Sequence, residues 1–203
     1  MRRWILTCIA AAVVQLAWAT AFTDTVIGKV RDSIAAVSAA PAPAGQATIE
    51  VGFSPEGSAE ALVVKTINSA KQSIRLAAYS FTSPEVVRAL MAAKHRGVDV
   101  AVVVDRKNNI SEDRSGKARA ALNLLVNAGI PTRTISVYPI HHDKFIVIDG
   151  LHIETGSFNY SQAAAQRNSE NALVMWNSPA IAAKYLAHWQ SRWERGVPYT
   201  SSY

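Results

Sequence analysis

Cysteine is nearly absent from this chain: Cys8 is the only one, and it lies inside an N-terminal apolar segment. That excludes a disulfide framework, so stability must come from packing or assembly. Acidic residues are also scarce, 15 against 21 basic ones, and they form no cluster of the kind a two-metal nuclease needs. Charged residues make up 18% of the chain and hydrophobic ones 49%, which excludes a disordered polyelectrolyte. There is no internal repeat, and nothing has the pattern of a helix-turn-helix or a zinc finger, so no base-reading module is expected.

What is present begins with a leader. Met1 to Ala21 has Arg2 and Arg3, an apolar run from Trp4 to Trp18, and small residues at Ala17, Ala19 and Ala21. This is the layout of a signal peptide (1–21), with an uncleaved membrane anchor as the competing reading. Residues 22–46 are rich in alanine and proline and read as a flexible leader, leaving a single domain over 47–198. The net charge is +6; without Arg2 and Arg3, 19 basic residues face 15 acidic ones, a charge of +4. Such an excess suits a nucleic acid or an anionic membrane surface without choosing between them.

Along the domain, strands and helices alternate. Strands are expected at Thr48 to Phe53, Ser73 to Phe81, Val98 to Asp105, Ile130 to Val137, Ile140 to Ile148, His152 to Thr155 and Asn168 to Trp176. Helices are expected from Ser58, as a cap, to Ala70; from Ser83-Pro84-Glu85 to near Gly97; over Ala118 to Ala128; and over Pro179 to Arg195. The order argues one α/β domain with a mixed sheet.

The chemistry concentrates in HHDKFIVIDGLHIETGSFN, residues 141–159. His142, Lys144 and Asp149 fit H-x-K-x-x-x-x-D, and Gly156, Ser157 and Asn159 follow as G-S-x-N. On a strand His142 and Lys144 would share a face. A neutral imidazole is a nucleophile, and an ammonium holds a phosphate oxygen without accepting a proton. Ser157 and Asn159 add neutral donors near the start of a short helix, where free N–H groups favour an anion. Asp149 has the other strand parity and sits at a turn, so it reads as a structural hydrogen-bonder.

These motifs resemble the phospholipase D superfamily, whose signature is the HKD motif followed by G-S-x-N. The resemblance runs from about Val51 to Trp193 and is strongest to the small, single-motif secreted Nuc-type endonucleases of bacteria. It implies a single-domain α-β-α sandwich with a mixed, mostly parallel central sheet. It also implies a covalent phosphohistidine on His142, with Lys144 and Asn159 on the phosphate oxygens and Ser157 nearby. Glu170 would orient the histidine, and no cofactor or obligate metal is implied.

Other residues read more plainly. His141 is expected in packing or at the rim, and His95, His152 and His188 at the surface or in structure. Arg106 and Lys107, beyond the end of a buried strand, are candidate contacts to the substrate backbone. Tyr185, Trp189 and Trp193 fall on one helical face, which reads as core or subunit interface ahead of a base-stacking platform. The expected function is a secreted or periplasmic phosphodiesterase cleaving DNA, or RNA, with little sequence preference. A lipid phosphodiesterase, membrane-anchored if the N-terminus stays, is the alternative, and a non-catalytic polyanion binder is disfavoured by the intact motif. Because one chain carries one HKD motif and the reaction needs two imidazoles, a homodimer sharing its site is expected.

Overall fold

The computed structural model describes residues 45–201. The expected signal peptide and nearly all of the leader lie outside them.

The core is a sheet of eight strands: β1 (Thr48–Ser54), β2 (Ser73–Ala78), β3 (Asp99–Asp105), β4 (Thr132–Ile135), β5 (Lys144–Ile148), β6 (His152–Gly156), β7 (Glu170–Trp176) and β8 (Val197–Pro198). Their order is β1-β7-β6-β5-β2-β3-β4-β8. The helices are α1 (Ser58–Ser69), α2 (Pro84–His95), α3 (Lys117–Asn127), α4 (Gln162–Gln166) and α5 (Pro179–Arg195), with a π-helical turn at Lys107–Ser111.

The α/β class and the mixed sheet are as expected, but the sheet is not mostly parallel. Only β2–β3 and β3–β4 pair in parallel, whereas every other neighbour is antiparallel. Connection length explains this. Parallel neighbours need a crossover, which α2 and α3 supply, while β5 and β6 are joined by a tight turn and must run antiparallel.

Sequence accounts for the well-defined elements. Val100 to Val104 are buried throughout, as expected of a strand covered on both faces. α2 starts where Ser83 Oγ accepts from the N–H of Val86 (3.2 Å), with Pro84 in the first turn. Ser58, expected to cap α1, instead hydrogen-bonds across to Phe53, accepting from its N–H (2.8 Å) and donating to its carbonyl (3.2 Å); Gly57 occupies the cap position. The strand expected from Ile140 begins only at Lys144, and that expected over Ile130 to Val137 is limited to Thr132–Ile135.

One face of the sheet is covered by α1, α2 and α3, through Val63, Ile67, Leu90, Leu122 and Leu125. Among the described residues the other is covered by α5, through Ala182 and Trp189, giving the expected three layers. Trp189 is buried, and its indole N–H donates to the carbonyl of Leu76 (2.9 Å). Trp193, partly buried, stacks on it at 4.9 Å, and Tyr185 packs partly buried against the same cluster, so the core reading of this helix face holds for Trp189.

The registers align the strand ends. Ala78 lies opposite Lys144, Phe145 opposite Thr155, Gly156 opposite Ala172, and Ser54 opposite Glu170. The carboxyl ends of β1, β2 and β6 and the amino ends of β5 and β7 therefore share one edge of the sheet. At that edge an α/β fold presents its ligands.

Candidate active site

At this edge lies a cavity of about 710 Å³. The approach to β5 contributes His142, Asp143 and Lys144; the exit of β6 contributes Ser157 and Asn159; β7 contributes Glu170. The four residues expected to act on phosphate, His142, Lys144, Ser157 and Asn159, are thus brought together with Glu170.

His142 and Lys144 do not owe their closeness to a shared strand face, because residues 140–143 are not in a strand. Both side chains gather on Tyr79, just past β2: the rings of His142 and Tyr79 are 4.6 Å apart, and the Lys144 ammonium is 5.2 Å from the Tyr79 ring centroid. Lys144 Nζ also donates to the carbonyl of His142 (2.9 Å). Partial burial pushes the Lys144 pKa down, opposed by the charges of Glu170 and Asp143.

Ser157 and Asn159 reach the cavity by local alternation. Phe158 and Tyr160 point into the core, and the carbonyl of Tyr160 accepts from Thr82 and Ser83 N–H (2.8 and 2.9 Å). Ser157 and Asn159, which alternate with them, face the cavity. Gly156 is required by close approach: a Cβ there would lie 2.2 Å from the carbonyl oxygen of Asn171. The short helix does not present a free N-terminus, since Ser161 Oγ accepts from the N–H of Ala164 (3.2 Å). Asn159 Oδ1 is buried on the cavity wall with no hydrogen-bond partner among the described residues.

Glu170 departs from expectation. Its carboxylate accepts from Ser157 Oγ (2.6 Å) and Asn168 Nδ2 (2.9 Å), and it makes no hydrogen bond to His142. It lines the cavity with the histidine but holds the serine. Ser157 Oγ in turn accepts from the Asn171 N–H (3.0 Å).

Asp149 is a structural hydrogen-bonder, as its parity suggested. At the β5–β6 turn, with φ of 55°, its carboxylate accepts from the N–H groups of Lys71 (2.9 Å), Gln72 (2.8 Å) and Ser73 (2.8 Å). It closes the far end of the sheet.

Arg106 and Lys107 leave β3 at the correct edge but are not on the cavity wall, and Lys107 sits 3.6 Å from Glu112 in a surface ion pair. Their loop folds into the π-helical turn and works from beneath. Buried Asn109 donates to the carbonyls of Tyr79 (2.6 Å) and Asp105 (2.7 Å), and buried Asp105 accepts from the His141 N–H (2.8 Å). Both segments that meet at His142 are tied to β3. His141 is buried, as expected, and burial lowers its pKa.

The opposite wall was not foreseen. It comes from α5, where Lys184, Tyr185 and His188 face the cavity, with His188 Nε2 2.8 Å from Asp143 Oδ2. The i, i+1, i+4 spacing marks a helix face, but nothing local says which loop it meets. Among the described residues, no group of three or more His, Cys, Asp or Glu side chains could hold a metal ion.

A family model described as "Cardiolipin synthase, PLD-like domain" matches residues 63–193, in which this site lies. The chain belongs to the phospholipase D superfamily. Its fold is that of a phospholipase D family member, Nuc from Salmonella typhimurium: 51% identity, a TM-score of 0.74, covering 77% of this chain and 100% of Nuc. A "Phospholipase D" of Rickettsia typhi is 33% identical over 140 residues, 69% of this chain and 65% of that protein. A "Mitochondrial cardiolipin hydrolase" of Xenopus laevis is 31% identical over 134 residues, 66% of this chain and 60% of that one. The chain therefore spans somewhat less than two thirds of either relative's length.

Proposed function

We propose that this protein is a metal-independent phosphodiesterase, a secreted or periplasmic endonuclease that cleaves DNA or RNA with little sequence preference. The observation that carries the reading is the meeting of His142, Lys144, Ser157 and Asn159 in one cavity, in a chain 51% identical to Nuc. A neutral imidazole nitrogen of His142 attacks phosphorus, a P–N bond forms, and the P–O bond to one nucleoside breaks. The leaving oxygen takes a proton from a second imidazole. Water then attacks the phosphohistidine, giving its proton to that same imidazole, and His142 is released. Lys144 and the Asn159 amide hold the phosphate oxygens, and the low-dielectric setting that depresses the lysine strengthens its pull on an anion.

The second imidazole is assigned to His142 of another copy in a two-fold dimer. An apolar strip supports this: Ile49, Val51 and Phe53 of edge strand β1 are 65%, 57% and 52% exposed, on the part of the α5-side sheet face that lies beyond α5. The strip ends at Ser54, paired with Glu170 at the site.

The relatives named for phospholipid and cardiolipin favour a second reading, a lipid phosphodiesterase held at a membrane by the N-terminal segment. Among the described residues, no helix is long and apolar enough to cross a membrane. Parallel assays on oligonucleotides and on phosphatidylcholine or cardiolipin vesicles, each with EDTA, decide between them. Nucleic-acid cleavage that persists in EDTA is the expected result; cleavage restored only by added Mg²⁺ or Zn²⁺, or turnover confined to vesicles, overturns the reading.

A further inference from the structure

The cavity is larger than its chemistry requires. Its volume of about 710 Å³ is that of a site for a whole small ligand, roughly 300–1,000 Å³, whereas one phosphodiester group is a handful of atoms. The catalytic set occupies the wall made by β5, β6 and β7; the remaining wall is α5. There Lys184 is exposed and makes no ion pair among the described residues. The ring of Tyr185, half-buried, stands edge-on to Phe145 at 5.0 Å, which fixes its orientation beside the opening.

An exposed cation next to a braced aromatic ring, one helical position apart, matches the repeating unit of a polynucleotide. Backbone phosphates are gripped by lysine and arginine, and sugars and bases by aromatic faces, in proteins that bind single strands without reading sequence. We infer that Lys184 and Tyr185 form a subsite for the nucleotide adjoining the scissile phosphate. The ammonium meets the next backbone phosphate, and the ring meets the sugar and base. This rests on the endonuclease reading. It also explains how a site with so small a catalytic set grips a chain: Arg106 and Lys107 do not reach the cavity, so the extra cation comes from α5.

The test compares wild type, Lys184→Ala, Lys184→Arg and Tyr185→Leu on a single-stranded oligonucleotide and on bis(p-nitrophenyl) phosphate, which has no neighbouring phosphate. With Lys184→Ala, the oligonucleotide KM should rise roughly tenfold while kcat changes little. The ratio of kcat/KM for the oligonucleotide to that for the small diester should fall by about the same factor. The slope of log kcat/KM against log salt, between roughly 50 and 200 mM, should flatten by about 0.7 and be restored in Lys184→Arg. Tyr185→Leu should raise the oligonucleotide KM roughly fivefold or more without changing the salt slope. An unchanged slope in Lys184→Ala, an equal loss on both substrates, or a greater loss on cardiolipin vesicles overturns the subsite. A wild type that hydrolyses the small diester but no nucleic acid removes the endonuclease reading and the subsite with it; a wild type that cuts DNA with Lys184 indifferent removes the subsite alone.

Discussion

Asp143 Oδ2 lies 2.8 Å from Nε2 of His188, so the residue between His142 and Lys144 is fastened to the last helix. His141 Nδ1 and Arg192 Nε stand 3.4 and 3.9 Å from the same oxygen. Because residues 140–143 have no strand partner, this contact and the Asp105–His141 bond hold the segment that carries His142 in place. His188→Ala should therefore lower kcat roughly tenfold while leaving KM nearly constant. His188→Asn, which keeps a donor, should recover part of the loss. Steady-state kinetics beside circular dichroism checks this, and a rise in KM alone would contradict a positioning role.

His142→Ala should abolish turnover with the fold intact, and rapid quench of the wild type without acid should trap phosphate on residue 142. Lys144→Ala should cost at least about a hundredfold in kcat/KM, since a partly desolvated phosphate loses its cation. Near-normal activity in His142→Ala would exclude the covalent route.

Refolding equal amounts of wild type and His142→Ala together should give about one quarter fully wild-type dimers. Activity at equal total protein should fall to near that fraction. Half the activity, or a fully active monomer in sedimentation, would rule out a shared site. Replacing Val51 and Phe53, exposed on the β1 strip, with Lys should shift the protein to monomer and lower activity in parallel.

Asp149→Ala removes the acceptor for three backbone N–H groups and should destabilise the fold by roughly 2–4 kcal/mol. Chemical denaturation measures the loss. Activity per folded molecule should survive, because the carboxylate closes the sheet end opposite the cavity.

Glu154 is buried in the sheet, accepts from the Tyr160 hydroxyl (2.8 Å), and has its pKa pushed up by burial to about 8. The unfolded chain releases this proton near 4.5, so between about pH 4.5 and 8 the native state binds more protons than the unfolded one. Stability from this group should be greatest at acid pH and fall as pH rises to about 8, then level off. Melting temperatures of Glu154→Gln, which cannot ionise, should lack that decline.

The sequence by itself determined the reacting groups and the local geometry that presents them. G-S-x-N and the S-F-N-Y alternation act over a few residues, where backbone period decides which side chains point together, whereas His142 and Lys144 meet on Tyr79 from outside a shared strand. It was enough for the α/β class, for α5 and the Trp189 core, and for reading Asp149 as structural. Tertiary structure decided what depends on pairs far apart in the chain. Asp143 and His188 are 45 residues apart, Asn109 and Tyr79 30, and Asp149 and Lys71 78. No local pattern encodes such meetings, because they follow from where whole strands and helices pack. For the same reason the strand count leaned antiparallel, Glu170 turned to Ser157 instead of His142, and Arg106 and Lys107 gave up the cavity to Lys184. The motif brings His142, Lys144, Ser157 and Asn159 within reach of one another; the packing of α5 on the sheet face adds Lys184, Tyr185 and His188 as the cavity's other wall.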